Sequence, residues 1–242
     1  MKKNLTTLLF ALMAMIMPIG SWAQDSTIEA LWGASAESLT HSGTLQEAFK
    51  AAEQDHTIGY IQLQSDITAK YIIEGGNFTL DLNGYVIQSE FYTLDVRNEG
   101  TNLTLVDNYN AADRTGKVIS NAIGASAVNV LTGSHVTILS GCYEATNMAA
   151  CFGAGSSGTI LGGIFKGGGS YPTIFTEENS TLTIAAGDFG GTDFYSAVEV
   201  AGNITITGGI FAEGIIGTIS YANGLLDLSQ YPTTTTEKTM PI

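Results

Sequence analysis

Between His135 and Phe211 the chain writes one hydrophobic–polar phrase four times: HVTILSGCY (135–143), GTILGGIF (158–165), TLTIAAGDF (181–189) and NITITGGIF (203–211). Each copy alternates around a central threonine, turns on glycine and resumes with an aromatic residue. Alternation with period two predicts strands, and the glycines predict corners. The threonines, Thr137, Thr159, Thr183 and Thr205, are 22, 24 and 22 residues apart. Looser copies at 78–87 and 103–110 carry Thr79 and Thr104, 25 residues apart. The step from Thr104 to Thr137 is 33, which predicts an ordinary coil carrying an insertion at NYNAADRTG (108–116). That segment is polar and ends in glycine, as a surface loop should.

Two more columns keep the interval. Val96, Val130, Phe152, Phe175 and Val200 precede the threonine phrases, and Tyr85, Ile119, Tyr143, Phe165, Phe189 and Phe211 follow the corner. A unit of this length cannot bury its own apolar face and must stack on its neighbours. Three short strands per repeat of about 22–25 residues predict an all-β, single-stranded parallel β-helix. It is expected to be right-handed, because parallel crossovers are. Leucine-rich repeats would need a Leu-x-x-Leu-x-Leu pattern that the chain lacks, and a propeller blade about 40 residues.

A stacked solenoid needs a cap at each end. TLQEAFKAAEQ (44–54) predicts a helix with Thr44 and Glu47 as a capping box and Leu45, Ala48, Phe49 and Ala52 on one face. It is the expected N-terminal cap of a domain spanning 44–231, after a lead-in at 24–43. The first strand is expected in TIGYIQLQSDIT (57–68). Leu225, Leu226 and Leu228 are expected to cover the far end, and 232–242 to be a low-complexity flexible tail.

The stretch from Leu45 to Gly84 resembles the beginning of right-handed β-helices of the pectin-lyase-like superfamily. The resemblance rests on Leu45-Gln46-Glu47-Ala48, Ile61-Gln62-Leu63, Ser65-Asp66-Ile67 and Leu80-Asp81-Leu82-Asn83-Gly84. With the later coils it covers about residues 44–220. It implies the architecture more than an activity, since this fold hosts many functions.

Lys2 and Lys3, an apolar run from Leu8 to Met17 and Ser21-Trp22-Ala23 predict a secretory signal peptide over 1–23. The run is short for a membrane span. No cysteine follows the expected cut, as a lipid-anchored lipoprotein would require. The two-lysine start and Gln24 are similar to bacterial export signals, so the expected location is extracytoplasmic: periplasm, cell surface or medium. Cleavage leaves seven basic against 23 acidic residues, a net charge of −16. Such a surface repels nucleic acid and anionic lipid, and acidic glycans unless calcium bridges the two. The two cysteines, Cys142 and Cys151, can pair in an oxidising compartment or remain free thiols. Their neighbours Tyr143 and Phe152 belong to inward columns, so both are expected to point outward.

Thr79, Thr104, Thr137, Thr159, Thr183 and Thr205 point outward and form a ladder. The residues two positions later are Asp81, Val106, Leu139, Leu161, Ala185 and Thr207. The ladder is either good strand chemistry, each threonine bonding its copy above and below, or a binding face for a regular partner. Glycans and other surface polymers are the expected partners; ice is a more distant one, because β-helical ice-binding proteins carry similar ladders. A lyase or hydrolase on this fold, the main alternative, needs clustered carboxylates with basic residues, two carboxylates facing one groove about 5–10 Å apart for hydrolysis. The chain has no Asp-Asp pair, Gly-His-Gly or Arg-x-Lys. Asp95 and Arg97 are the nearest candidates for catalysis, with Asn129 and Glu199 on their column and Asp107, Asp113, Arg114 and Lys117 around the insertion. No metal or cofactor motif is present, and His41, His56 and His135 form no spaced ligand set. The sequence reading therefore favours a binding or structural role over catalysis.

Overall fold

The structure, a computed structural model, describes residues 28–109, 115–169, 171–190, 197–211, 219–221 and 224–230. The signal-peptide reading of 1–23, Asp113 and Arg114, and the tail reading of 232–242 lie outside the described residues. The chain is an all-β solenoid of about six turns with mostly parallel strands. Each full coil passes a threonine strand, an aromatic strand and a third strand. The first two belong to a 15-stranded sheet, and the third to a separate 7-stranded sheet.

The register follows the repeat. In the threonine strands Thr79 pairs with Thr104, Thr104 with Thr137, Thr137 with Thr159, Thr159 with Thr183 and Thr183 with Thr205. The 33-residue step closes in register, with Thr104 opposite Thr137. The flanking residues Leu80, Leu105, Ile138, Ile160, Ile184 and Ile206 are fully buried, as the alternation requires.

Two columns differ from their expected membership. The aromatic column is Ile87, Val118, Tyr143, Phe165, Phe189 and Phe211. Tyr85 lies before the strand Val86–Ser89 and packs only partly against the core, while Ile119 points outward beside Val118. From Tyr143 onward the rings stack: centroids are 5.1, 4.9 and 4.9 Å apart and planes within 17°. The preceding glycines Gly141, Gly163, Gly187 and Gly209 all have positive φ, which only glycine adopts without strain at such a corner.

The third column is Val96, Val130, Phe152, Thr176 and Val200. Phe175 is therefore not inward: it pairs with Cys151 and Glu199 on the outer face and is half-buried. Ile174, aligned with Ala150 and Val198, sets this phase. The buried Thr176 hydroxyl is satisfied, donating to Glu199 O (3.1 Å) and accepting from Gly202 N (3.2 Å).

The segment expected as a lead-in contains two strands, β1 (Ala30–Gly33) and β2 (Leu39–Gly43). β1 pairs antiparallel with β2 and with Tyr60–Leu63, the first strand of the parallel stack, where Tyr60 stands opposite Thr79. Helix α1 (Leu45–Gln54) follows with the expected capping box. Its buried Phe49 packs against Tyr71 (5.4 Å) and Phe78 (5.7 Å) of the first coil. No described helix is long and apolar enough to cross a membrane.

Candidate functional site: the threonine face

The six threonines stand in register, all half-buried, on the outer face of the larger sheet. At about 4.8 Å per rung the ladder runs about 24 Å. Tyr60 continues the row beyond Thr79, and Asp227 beyond Thr205.

A second outward column runs beside it: Asn77, Asn102, His135, Ser157, Thr181 and Asn203. It stands about 6.6 Å from the first, two residues along each strand. The sequence carries the signal, since the residue two before each of the six threonines is polar. On the described coils the face is thus a double row of hydroxyls and amides. His135 sits at its centre, Nδ1 2.8 Å from Ser157 Oγ and Nε2 3.2 Å from Thr137 Oγ1. Burial holds its imidazole below the usual histidine range.

On the other side of the ladder the row is mixed. Leu139 and Leu161 are exposed, and a bulge pairs Leu161 with Ala186 rather than Ala185. Asp81 is fully buried and accepts from Tyr60 OH (2.8 Å), Asn83 N (2.9 Å) and Asn108 N (3.0 Å). Asp107 accepts from Gly84 N and Gly116 N, each at 2.7 Å. These two carboxylates tie the ends of the insertion to the corner of the coil.

The candidates for chemistry are engaged with one another. Asp95, 1% exposed, is bonded to Arg97 Nη2 and to Asn129 Nδ2 (3.0 Å), with Lys70 Nζ at 4.0 Å. The bond to Asp95 raises the Arg97 guanidinium above its ordinary value. Glu199 is three rungs from Asn129, past Cys151 and Phe175. Asp95 is thus a buried counter-ion of Arg97 on the outer face of the smaller sheet. Lys117, directly after the insertion, opens an aromatic strand and lies 3.2 Å from Glu144 Oε1, with Lys166 on the same oxygen at 2.9 Å. Burial raises the Glu144 carboxyl, but bonds from Lys166, Cys142 and Lys117 overcome it and hold it at about 2.

Cys142 and Cys151 are free and buried, on strands of different sheets. They occupy outward positions, as expected, yet neighbouring side chains cover them. Burial first, then the nearby Glu144, pushes the Cys142 thiol up to about 11; burial, then Glu177, pushes Cys151 to about 12. Among the described residues no three histidine, cysteine or acidic side chains gather as a metal cluster. Comparison with known proteins finds no matching family model, no matching curated protein and no matching solved structure.

Proposed function

We propose that this chain is a secreted or surface-displayed β-helix whose threonine face holds a glycan or other surface polymer. The carrying observation is the register of six threonines with a second polar row beside them. A repeating surface is matched by a repeating partner, and this is the described surface on which one residue type recurs on six successive rungs. In the same reading the solenoid is right-handed and of the pectin-lyase-like kind, helix α1 closes its N-terminal end, and residues 1–23 direct export. The strong bias of parallel crossovers supports the hand, and the packing of Phe49 on the first coil supports the cap.

The test compares wild type with a Thr137→Lys/Thr159→Lys/Thr183→Lys variant in pull-downs on a panel of soluble and insoluble glycans, with and without calcium. The expected result is binding that the variant loses while circular dichroism and melting stay close to wild type. A folded variant that binds as well as wild type would reduce the ladder to strand chemistry.

A further inference from the structure

We propose that the threonine face adsorbs to the surface of a crystalline, uncharged polysaccharide with straight parallel chains, and not to dissolved chains of the same sugar. This deepens the binding reading above and rests on it.

Charge selects the class. On the six threonine rungs the two rows contain no carboxylate or amine, Asp227 standing one rung beyond Thr205, and His135 is their one ionisable group, held toward its neutral form. The chain carries a net charge of −14, so an acidic polymer approaching this face is repelled. An uncharged polyhydroxyl surface is not.

Shape and energy select the physical state. On the six threonine rungs the two rows hold no aromatic platform, Tyr60 standing one rung before Thr79, and cavities of about 400 and 340 Å³ lie elsewhere, against α1 and over the aromatic strands. Each hydroxyl or amide contact replaces one with water and contributes only about 0.5–1.5 kcal/mol net. A dissolved chain laid along the face loses internal freedom at each linkage it fixes, a cost on the order of the 0.5–1.5 kcal/mol of an immobilised flexible side chain, besides its overall tumbling. The two nearly cancel, so free chains are held weakly. In a crystal the chains are already ordered, and that loss disappears. The protein side is ordered too: the rungs are fixed by backbone pairing, and His135 ties the hydroxyls of Ser157 and Thr137.

Sedimentation of full-length protein with microcrystalline cellulose and with crystalline chitin, each beside its swollen amorphous form, tests this. Soluble hexamers of each sugar serve as competitors, and the triple lysine variant as the face control. Expected is sedimentation with at least one crystalline form, weaker by about tenfold or more on the amorphous form, unaffected by hexamers and lost in the variant. Equal binding to the amorphous form, competition by hexamers, absence from both crystals, or adsorption to ice instead would overturn the inference. If amorphous or soluble chains bind and the variant abolishes this, the face remains a binding face and only the crystalline specificity fails. If the folded variant still sediments, both readings fall.

Discussion

The Phe152 ring occupies the space where a side chain on Gly158 would be: a Cβ there would lie 2.1 Å from Phe152 Cε1. The inward position that Leu103, Val136, Leu182 and Ile204 fill on other rungs is left empty at Gly158, and the larger ring from the third strand fills it. Gly158→Ala should therefore destabilise the protein by about 1–3 kcal/mol through overpacking. Chemical denaturation measures it, and adding Phe152→Leu should recover part of the loss. A neutral Gly158→Ala would show that the core yields there.

The column that passes through Thr176 rather than Phe175 separates two substitutions. Phe175→Asp, on the outer face, should leave a folded protein. Thr176→Asp buries an unpaired charge and should prevent folding. Thr176→Val keeps the shape but orphans buried groups, for a loss of about 1–3 kcal/mol. Expression and thermal melts of the three variants decide it; a misfolded Phe175→Asp beside a stable Thr176→Asp would restore the other phase.

Acid should act first through His135. Its folded pKa lies below the ordinary 6.5 because of burial, so the unfolded chain takes the proton more readily. That contribution to stability is complete above about pH 6.5 and falls as pH drops through the folded value. Protonation also makes both ring nitrogens donors, so Ser157 and Thr137 must both accept, and it places a charge at the centre of the face. The strands beside it contribute Asn102, Thr104, Ser157 and Thr159, and the turn before it packs Gly133 against Glu99. An NMR titration should show the low midpoint, and His135→Gln should flatten both stability and adsorption over this range.

Glu144 titrates lower. Its folded pKa is depressed from 4.5 to about 2, so its stabilisation is present above about pH 4.5 and is lost as pH falls through 2. Glu144→Gln should remove that part of the acid dependence and leave Lys117 and Lys166 facing each other. Urea titrations at several pH values read the difference in slope between wild type and variant.

With thiols pushed up to about 11 and 12 and buried, Cys142 and Cys151 should resist iodoacetamide at neutral pH in the native protein and react fully once unfolded. Mass spectrometry counts the adducts. Unfolded protein that takes up label only after reduction would reveal a disulfide instead.

The solenoid and its coil boundaries were legible because the outward threonine recurs on every copy, and a period-two pattern fixes which side faces in. Phase was lost where bulk and position disagreed. Phe175 looks like a core residue, but Ile174 and the bonds of Thr176 set the strand. β1 and β2 escaped because they pair antiparallel, outside the repeat, and β2 buries almost nothing. The second polar row is written in the sequence two residues before each threonine, as Asn77, Asn102, His135, Ser157, Thr181 and Asn203. Mutual neutralisation of Asp95 and Arg97 required coordinates, since spacing places both on one strand without showing how their side chains turn.

Chains built from look-alike repeats face a registration problem: a threonine strand could pair one coil too far and still match threonine to threonine. Asp81 accepts from Asn108 N and Asp107 from Gly84 N, contacts across two neighbouring coils that give this pair an address of its own among the described coils. A slipped pairing would leave the fully buried Asp81 without Asn108, a penalty of about 1–3 kcal/mol. The insertion's anchors thus work as a checksum on folding, rejecting misaligned stacks that the ladder alone would accept.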